Sequence, residues 1–396
     1  MILLNSIDRN DLNSLRTACS YLFSPEHVKD LSFIENLELS AVKKAYKSKV
    51  KQYHPDLHQN EPNDIVNKRV ERFNNIKQSY NLLTSVIKEK APGKIIAIGG
   101  AKGGIGKSMF AANLGVMLTN MGYKTAVIDL DLGGTNLHLY LGETILQKKV
   151  NDFLLGNVGS LNDIMIKSKF GPHFIGGDSS QLGIANIGFY QKLKLLKAIK
   201  NLDKDYIIID LGGDTTYNII DFFLSADFKV VMTTREPASY IDAYRFIKVA
   251  IYRKLNRLFG VESKYNKLKN HKLKDLIFES TMKPNGPHVK SINELFERIA
   301  QQRPQDLALI KKVVVNFNPS LIINKVPHNF DSSPIANHII SVSEKSLSLD
   351  VRHIGDISYQ TEVENSSMEL IPVITKAPDS IFSGELQSIV NRLLYL

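Results

Sequence analysis

The sequence predicts an α/β fold, a doubly wound and mostly parallel sheet, preceded by a small all-α helical domain. Three observations carry this. The apolar run Ile95–Ile98 feeds the glycine loop Gly99-Gly-Ala-Lys-Gly-Gly-Ile-Gly-Lys-Ser108, which opens the helical pattern Met109–Leu118. Two further apolar runs, Lys124–Asp131 and Tyr206–Asp210, end in acids and alternate with helical patterning, as crossover-connected parallel strands require. Ahead of residue 89 the periodicity is helical only.

Composition bounds the function before any motif does. The 396 residues are 43% hydrophobic and 23% charged, ordinary values for a globular chain able to bury a sizeable core. Asp8, Arg9 and Asp11 break the opening apolar residues before a secretory core is reached, and no apolar run approaches the roughly 18 residues of a membrane span. The expectation is a cytoplasmic protein. A single cysteine, Cys19, excludes an internal disulfide and a thiolate metal cluster, and its helical setting marks a packed side chain. The net charge of +10 suits an acidic partner, nucleic acid or anionic lipid, and is equally compatible with solubility alone.

In chain order, Leu12, Leu15, Ala18, Cys19 and Leu22 have helical spacing up to a break at Ser24-Pro25. Leu39–Tyr53 forms a helix whose stripe of Val42, Ala45, Tyr46, Val50 and Tyr53 leaves Lys43, Lys44, Lys47, Lys49 and Lys51 toward water. His54-Pro55-Asp56 stops it, and Val66–Leu83 returns with Val70, Phe73, Ile76, Tyr80 and Leu83 inward. Basic helix, His-Pro-Asp loop and antiparallel helix together resemble the J-domain of DnaJ-type co-chaperones over residues 19–86. The resemblance implies a DnaK-type chaperone as partner, engaged by His54, Pro55 and Asp56 with Lys43, Lys44 and Lys47. Residues 1–88 are therefore expected as a helical domain, 89–94 as a linker and 95–396 as the α/β domain.

The glycine loop is built for phosphate. Backbone N–H groups can close around the β- and γ-phosphates, the helix N-terminus adds its dipole, Lys107 supplies charge and the Ser108 hydroxyl can ligate Mg²⁺. Ala101 stands where a leading glycine is usual, and a second lysine, Lys102, precedes Gly103-Gly104. Lys-Gly-Gly-x-Gly-Lys-Ser resembles the deviant P-loop of the MinD/ParA ATPases. That resemblance implies ATP as ligand, contacts from Gly103, Gly104, Ile105, Gly106, Lys107, Ser108 and Met109, and a Lys102 that reaches the nucleotide of a second subunit.

Acids at the carboxyl ends of parallel strands point into the crevice where ligands of open α/β sheets sit. Asp129-Leu-Asp131 with its following glycine loop is closest to the MinD and FlhG branch, which implies that Asp131 orients the attacking water while Asp129 supports Mg²⁺ and the switch loop. Val150–Leu155 reads as a short helix, Phe174–Gly177 as strand and turn, Gln191–Leu202 as an amphipathic helix. Tyr206–Asp210 with Leu211-Gly-Gly-Asp214 is a Walker B pattern, in which the Asp210 carboxylate holds Mg²⁺ through water. Lys229–Pro237 is a further strand and loop, near the dimer face by resemblance.

Residues 240–312 read as a long, charged helical insertion. Its lysines Lys264, Lys267, Lys269, Lys272 and Lys274 have no arginine among them, which favours a solvated helix face over a nucleic-acid contact. Leu321–Val326 is another buried strand, whose Asn324 matches the family asparagine that reads adenine. His353–Tyr359 resembles the base-flanking strand and loop, with Ser358 where proline is usual. Ile381, Phe382, Leu386, Ile389, Val390, Leu393 and Leu394 give the last helix one apolar face, and its sparse positive charge favours packing over membrane insertion.

These readings converge on a Mg–ATP-hydrolysing dimerisation switch of slow turnover. The resemblance implies a role in spatial positioning or number control of a cell pole, flagellum or other cargo, with an ATP-dependent homodimer, a cargo protein and a membrane or nucleoid surface as partners. The membrane variant would place the protein peripherally at the membrane or a pole. Two alternatives stay open: a J-domain adaptor whose ATPase part mainly dimerises, and a ParA-like DNA-partitioning ATPase.

Overall fold

The computed structural model describes residues 9–24, 28, 31–35, 37–54, 62–86, 92–131, 134–177, 187–283 and 286–395. The chain divides into two compact units, Met1–Ala91 and Pro92–Leu396.

In the first unit the helices Arg9–Leu22, Leu31–Glu35, Leu39–Tyr53 and Asn63–Val86 surround a small core of Leu15, Cys19, Ile34, Val42, Ile76 and Leu83. Cys19 is fully buried, and burial pushes its thiol up to about 11, so it serves as packing. The Tyr46 and Tyr80 rings stack at 4.1 Å, fixing Leu39–Tyr53 against Asn63–Val86.

The second unit is built on an eight-stranded sheet: β1 (Lys94–Gly99), β2 (Thr125–Leu130), β3 (Ile166–Lys167), β4 (His173–Ile175), β5 (Tyr206–Leu211), β6 (Phe228–Thr234), β7 (Ser320–Val326) and β8 (Arg352–Ser358). Their order is β3-β4-β2-β5-β1-β6-β7-β8. Every pairing is parallel except β3 with β4, whose two-residue strand Ile166–Lys167 has too short a pattern to be read from sequence. Two-sided burial explains the continuous apolar runs. Along β1, Ile95 and Ala97 enter one core and Ile96 and Ile98 the other, and along β5 Ile207 and Ile209 oppose Ile208 in the same way.

The expected insertion resolves into the helices Pro237–Asn256, His271–Thr281, Ile292–Gln302 and Leu307–Val315. Phe246, Ile277, Leu295 and Ile310 from these helices are fully buried in the same core as β1 and β5. The lysine run is only partly helical. Lys264, Lys267 and Lys269 lie between helices, around the 3₁₀ turn Asn266–Leu268, and only Lys272 and Lys274 are on an α-helix.

One buried ion cluster ties the helices of this face together. Asp221 accepts from Arg253 Nε at 2.8 Å and Nη2 at 2.9 Å, and from Lys192 Nζ. Burial alone would raise the Asp221 carboxyl, but the hydrogen bonds from Arg253 and Lys192 outweigh it and hold the group below the usual carboxylate range.

On the other face the terminal helix Ile381–Leu394 packs against β8 and the helix Lys107–Asn120. Phe382, Leu386, Ile389, Val390 and Leu393 are buried in the core, so this apolar face packs inside the fold, while Ile381 stands outside it at 58% exposure. Among the described residues no helix is long and apolar enough to cross a membrane.

Candidate functional site

Because the strands are parallel and their helices cross over, loops gather at the carboxyl ends of β1, β2, β5, β7 and β8. Those after β1, β2, β7 and β8 line a cavity of about 540 Å³ whose walls include Gly106, Lys107, Asp131, Asn324, Tyr359 and Met368. The glycine loop forms its floor. Gly106, at φ 95°, is the N-cap of the helix Lys107–Asn120, and a Cβ there would lie 2.3 Å from Asn324 Nδ2. Gly213, after β5, comes equally close, since a Cβ on it would meet the Gly103 nitrogen at 2.7 Å. Glycine at these two positions is what lets the Walker B loop, β7 and the phosphate loop touch.

Lys107 is 6% exposed, and its ammonium donates to the Lys102 carbonyl at 3.0 Å. Burial lowers its proton affinity, while Asp210, Asp131 and Asp214 raise it in part. Three acids therefore face one buried cation. Asp129 and Asp210 are register partners on β2 and β5. The Asp129 oxygens accept from the backbone N–H groups of Asp131 at 3.1 Å and Leu137 at 3.3 Å, so its acceptors are engaged by the loop that follows β2. Burial and the Asp210 charge push its carboxyl well up.

Asp210 differs from its neighbour. It is 1% exposed, and neither carboxylate oxygen has a hydrogen-bond partner of good geometry. Burial pushes the group up to about 7, against the pull of the nearby Ser108 hydroxyl and the Lys107 charge. Two orphaned buried anionic oxygens beside a hydroxyl and an ammonium are a receptor for a hydrated divalent cation with phosphate. Mg²⁺ in phosphate sites is usually bound through one or two carboxylates plus phosphate oxygens, a role open to Asp210.

Lys102 and Ser358 each bond to a glutamate distant in sequence. The Lys102 ammonium pairs with Glu236 Oε2 at 2.7 Å, just beyond β6. Asn324, 2% exposed, donates through Nδ2 to the Ile105 carbonyl at 2.7 Å and accepts the Lys325 N–H at Oδ1 at 2.8 Å. In this conformation its amide braces the glycine loop. The Ser358 N–H and Oγ donate to the two oxygens of Glu385, at 2.8 and 2.5 Å. A proline there could supply neither bond, so the departure from the usual residue ties β8 to the terminal helix.

Sequence reasoning missed Lys325, Glu236 and Tyr140. Lys325, at φ 57°, sends its ammonium back to the Gly104 carbonyl at 2.9 Å, and its place directly after Asn324 was the one available signal. Tyr140 lines the cavity, where burial and Asp210 raise its hydroxyl. Met109 and Gly104 sit on the cavity wall as well.

In the helical unit, Lys43, Lys44 and Lys47 are exposed on the helix Leu39–Tyr53. His54 caps that helix, its N–H donating to the Val50 carbonyl at 2.9 Å, and its ring packs edge-on to Phe73 at 5.3 Å. Pro55 and Asp56 lie outside the described residues.

Residues 96–373 match the CobQ/CobB/MinD/ParA nucleotide binding domain family, and residues 31–91 match the DnaJ domain. The flagellum site-determining protein YlxH of Helicobacter pylori is 31% identical over 195 residues, 46% of this chain and 62% of that protein. The antiactivator FleN of Pseudomonas aeruginosa is 27% identical over 172 residues, 43% of this chain and 59% of that one. The chain thus spans about three fifths of the length of these curated relatives. In fold it is similar to MinD of Pyrococcus horikoshii complexed with Mg-ADP, at TM-score 0.50, 19% identity and coverage of 76% of this chain and 95% of that one. The ParA family ATPase of Chlorobium tepidum gives TM-score 0.51 at 16% identity, covering 77% and 99%. With this match over most of its length and the glycine loop, Asp129 and Asp210 gathered at the strand ends, the chain belongs to the CobQ/CobB/MinD/ParA nucleotide-binding family and carries an N-terminal DnaJ domain.

Proposed function

We propose that this protein is a Mg–ATP-driven dimerisation switch that acts in positioning or counting a cellular structure, with a DnaJ domain that recruits a DnaK-type chaperone. The observation that carries the reading is the pair of unpartnered, buried Asp210 oxygens beside Lys107. Lys107 offsets this buried carboxylate only in part, and a phosphate would draw on the same ammonium, so the site favours metal and triphosphate together over either alone.

The glycine loop N–H groups, Lys107 and Ser108 would hold the phosphates and the metal, and Asp210 would hold the metal through water. A magnesium ion held there by Ser108 and Asp210 would supply positive charge to offset that of the phosphates. Lys107 must exchange the Lys102 carbonyl for phosphate, which frees the loop carrying Lys102 to reorganise. Asp131 orients the attacking water, and Asp129 holds the loop that presents it. Lys102 supplies charge across the dimer at the nucleotide of the second copy. Most of the acceleration in such a site is positioning and electrostatics, in keeping with slow turnover. The positioning role takes support from the names of the YlxH and FleN relatives. The chaperone role takes support from the exposed Lys43, Lys44 and Lys47 beside His54.

The test is ATP hydrolysis by the purified chain in Mg²⁺. Lys107→Ala should abolish nucleotide uptake and turnover, and unchanged hydrolysis in that variant would overturn the reading. His54→Gln should leave ATP binding intact and remove stimulation of a DnaK-type ATPase. No stimulation by the unmutated chain would end the chaperone arm alone.

A further inference from the structure

The helix Pro237–Asn256 starts at the carboxyl end of β6 and runs back to the amino ends of the strands. There Lys254 Nζ donates to the Asn316 carbonyl at 3.1 Å, a few residues before β7 begins. The chain then crosses this pole as the irregular segment 257–270, opposite the end of the sheet that holds the nucleotide cavity.

The segment is charged and apolar at once. Lys264, Lys267, Lys269 and Lys272 are exposed, Leu268 between them is 58% exposed, and Val261, three residues ahead of Lys264, is 66% exposed. The acid of the segment, Glu262, is taken up by Arg257 Nε at 2.7 Å. Cations crowd here: burial together with the Lys229 and Lys264 charges pushes Lys254 down to about 8. Asp275 and Glu279 are exposed on the helix that follows, where they offset the lysines only in part, and a surface of net positive charge attracts anions.

We propose that this pole docks on an anionic lipid surface, with the lysines on phosphate headgroups and Leu268 and Val261 entering the headgroup boundary. Exposed aliphatic side chains among lysines suit a membrane interface, where each lysine gains from the surface potential and each buried methylene adds to it. A nucleic-acid surface instead calls for arginine forks and free aromatic faces. Here Arg257 is engaged by Glu262 and lies over the Phe189 ring, while Phe259 and Tyr265 are half-buried against the core. The terminal helix, with its apolar face buried, offers no such surface. Docked this way, the nucleotide cavity at the far end of the strands faces away from the membrane. The inference rests on the charge and shape of this pole and holds whether or not the chain hydrolyses ATP.

The test is co-sedimentation of the full chain with phosphatidylcholine vesicles, with and without phosphatidylglycerol. The expected result is binding to the anionic vesicles, little to the neutral ones, and a loss that steepens with salt. Lys264→Glu, Lys267→Glu and Lys269→Glu combined should weaken binding about a hundredfold or more, at about fivefold or more per charge. Should the combined variant fail to fold, Leu268→Ser alone should weaken it severalfold. ADP affinity, measured in parallel, should be unchanged in all of them. Failure to bind anionic vesicles, or equal binding by the variants, overturns the proposal. Duplex DNA binding that is lost in the same variants without any vesicle binding would assign the pole to nucleic acid and overturn it equally.

Discussion

Lys102 and Glu236 form an ion pair of 2.7 Å within one chain, although they are 134 residues apart in sequence. The Lys102 side chain is 39% and that of Glu236 65% exposed, and pairs open to solvent in this way contribute little to folding. The contact parks Lys102 beside the cavity in the single copy. Glu236→Gln should therefore leave thermal stability nearly unchanged and strengthen ATP-dependent self-association by a few-fold. Lys102→Ala should remove self-association with nucleotide uptake retained. Sedimentation velocity of both variants in Mg–ATP reads the difference, and weaker association in Glu236→Gln would contradict the resting role of the pair.

Asp210 serves binding more than stability. Asparagine there relieves the burial of a carboxylate but also takes from buried Lys107 its first counter-charge, so Asp210→Asn should leave stability without nucleotide nearly unchanged at neutral pH. The same change should abolish the Mg²⁺ dependence of nucleotide binding in calorimetry. A destabilised variant that binds nucleotide in a Mg²⁺-dependent way would mean that the carboxylate has a protein partner instead.

Ser358→Pro installs the residue usual in this family and should harm this chain. It deletes two donors to Glu385, which joins β8 to the terminal helix, at a cost of about 2 kcal/mol. Denaturant unfolding measures it, and a neutral or stabilising effect would show that the Ser358–Glu385 bonds are dispensable.

Asp221 sets an acid limit on the helical face. Its carboxyl is held below the usual range, so its contribution is complete above the unfolded value of about 3.9 and fades as pH falls through the lower folded value. Asp221→Ala leaves Lys192 and Arg253 without their counter-charge and should cost about 3–5 kcal/mol at neutral pH. The gap between wild type and variant should shrink in urea melts below about pH 4. A gap independent of pH would show that the loss is one of packing.

The parts of this molecule governed by local rules were legible in its sequence. Glycines at positive φ before a helix, apolar runs buried on both faces and acids at strand ends each announce themselves within ten residues, as at Gly106, Ile95–Ile98 and Asp210. Contacts made by topology were not. Glu236 reaches Lys102 and Lys325 reaches Gly104 only because β6 and β7 end beside the glycine loop, and beyond the adjacency of Lys325 to Asn324 nothing local encodes either meeting. The direction of the Asn324 amide is likewise a property of the folded loop, not of the asparagine. At the opposite pole, Lys264–Lys269 were expected on a helix face. Gly260 and the Asn266–Leu268 turn break the periodicity that five lysines in eleven residues suggest.

The central claim is that two copies of this chain close over ATP. Light scattering of the purified protein in Mg²⁺ with a slowly hydrolysed ATP analogue should give twice the mass of one chain, falling to a single mass in ADP. One mass for every nucleotide supplied, with the analogue demonstrably bound, would contradict the account.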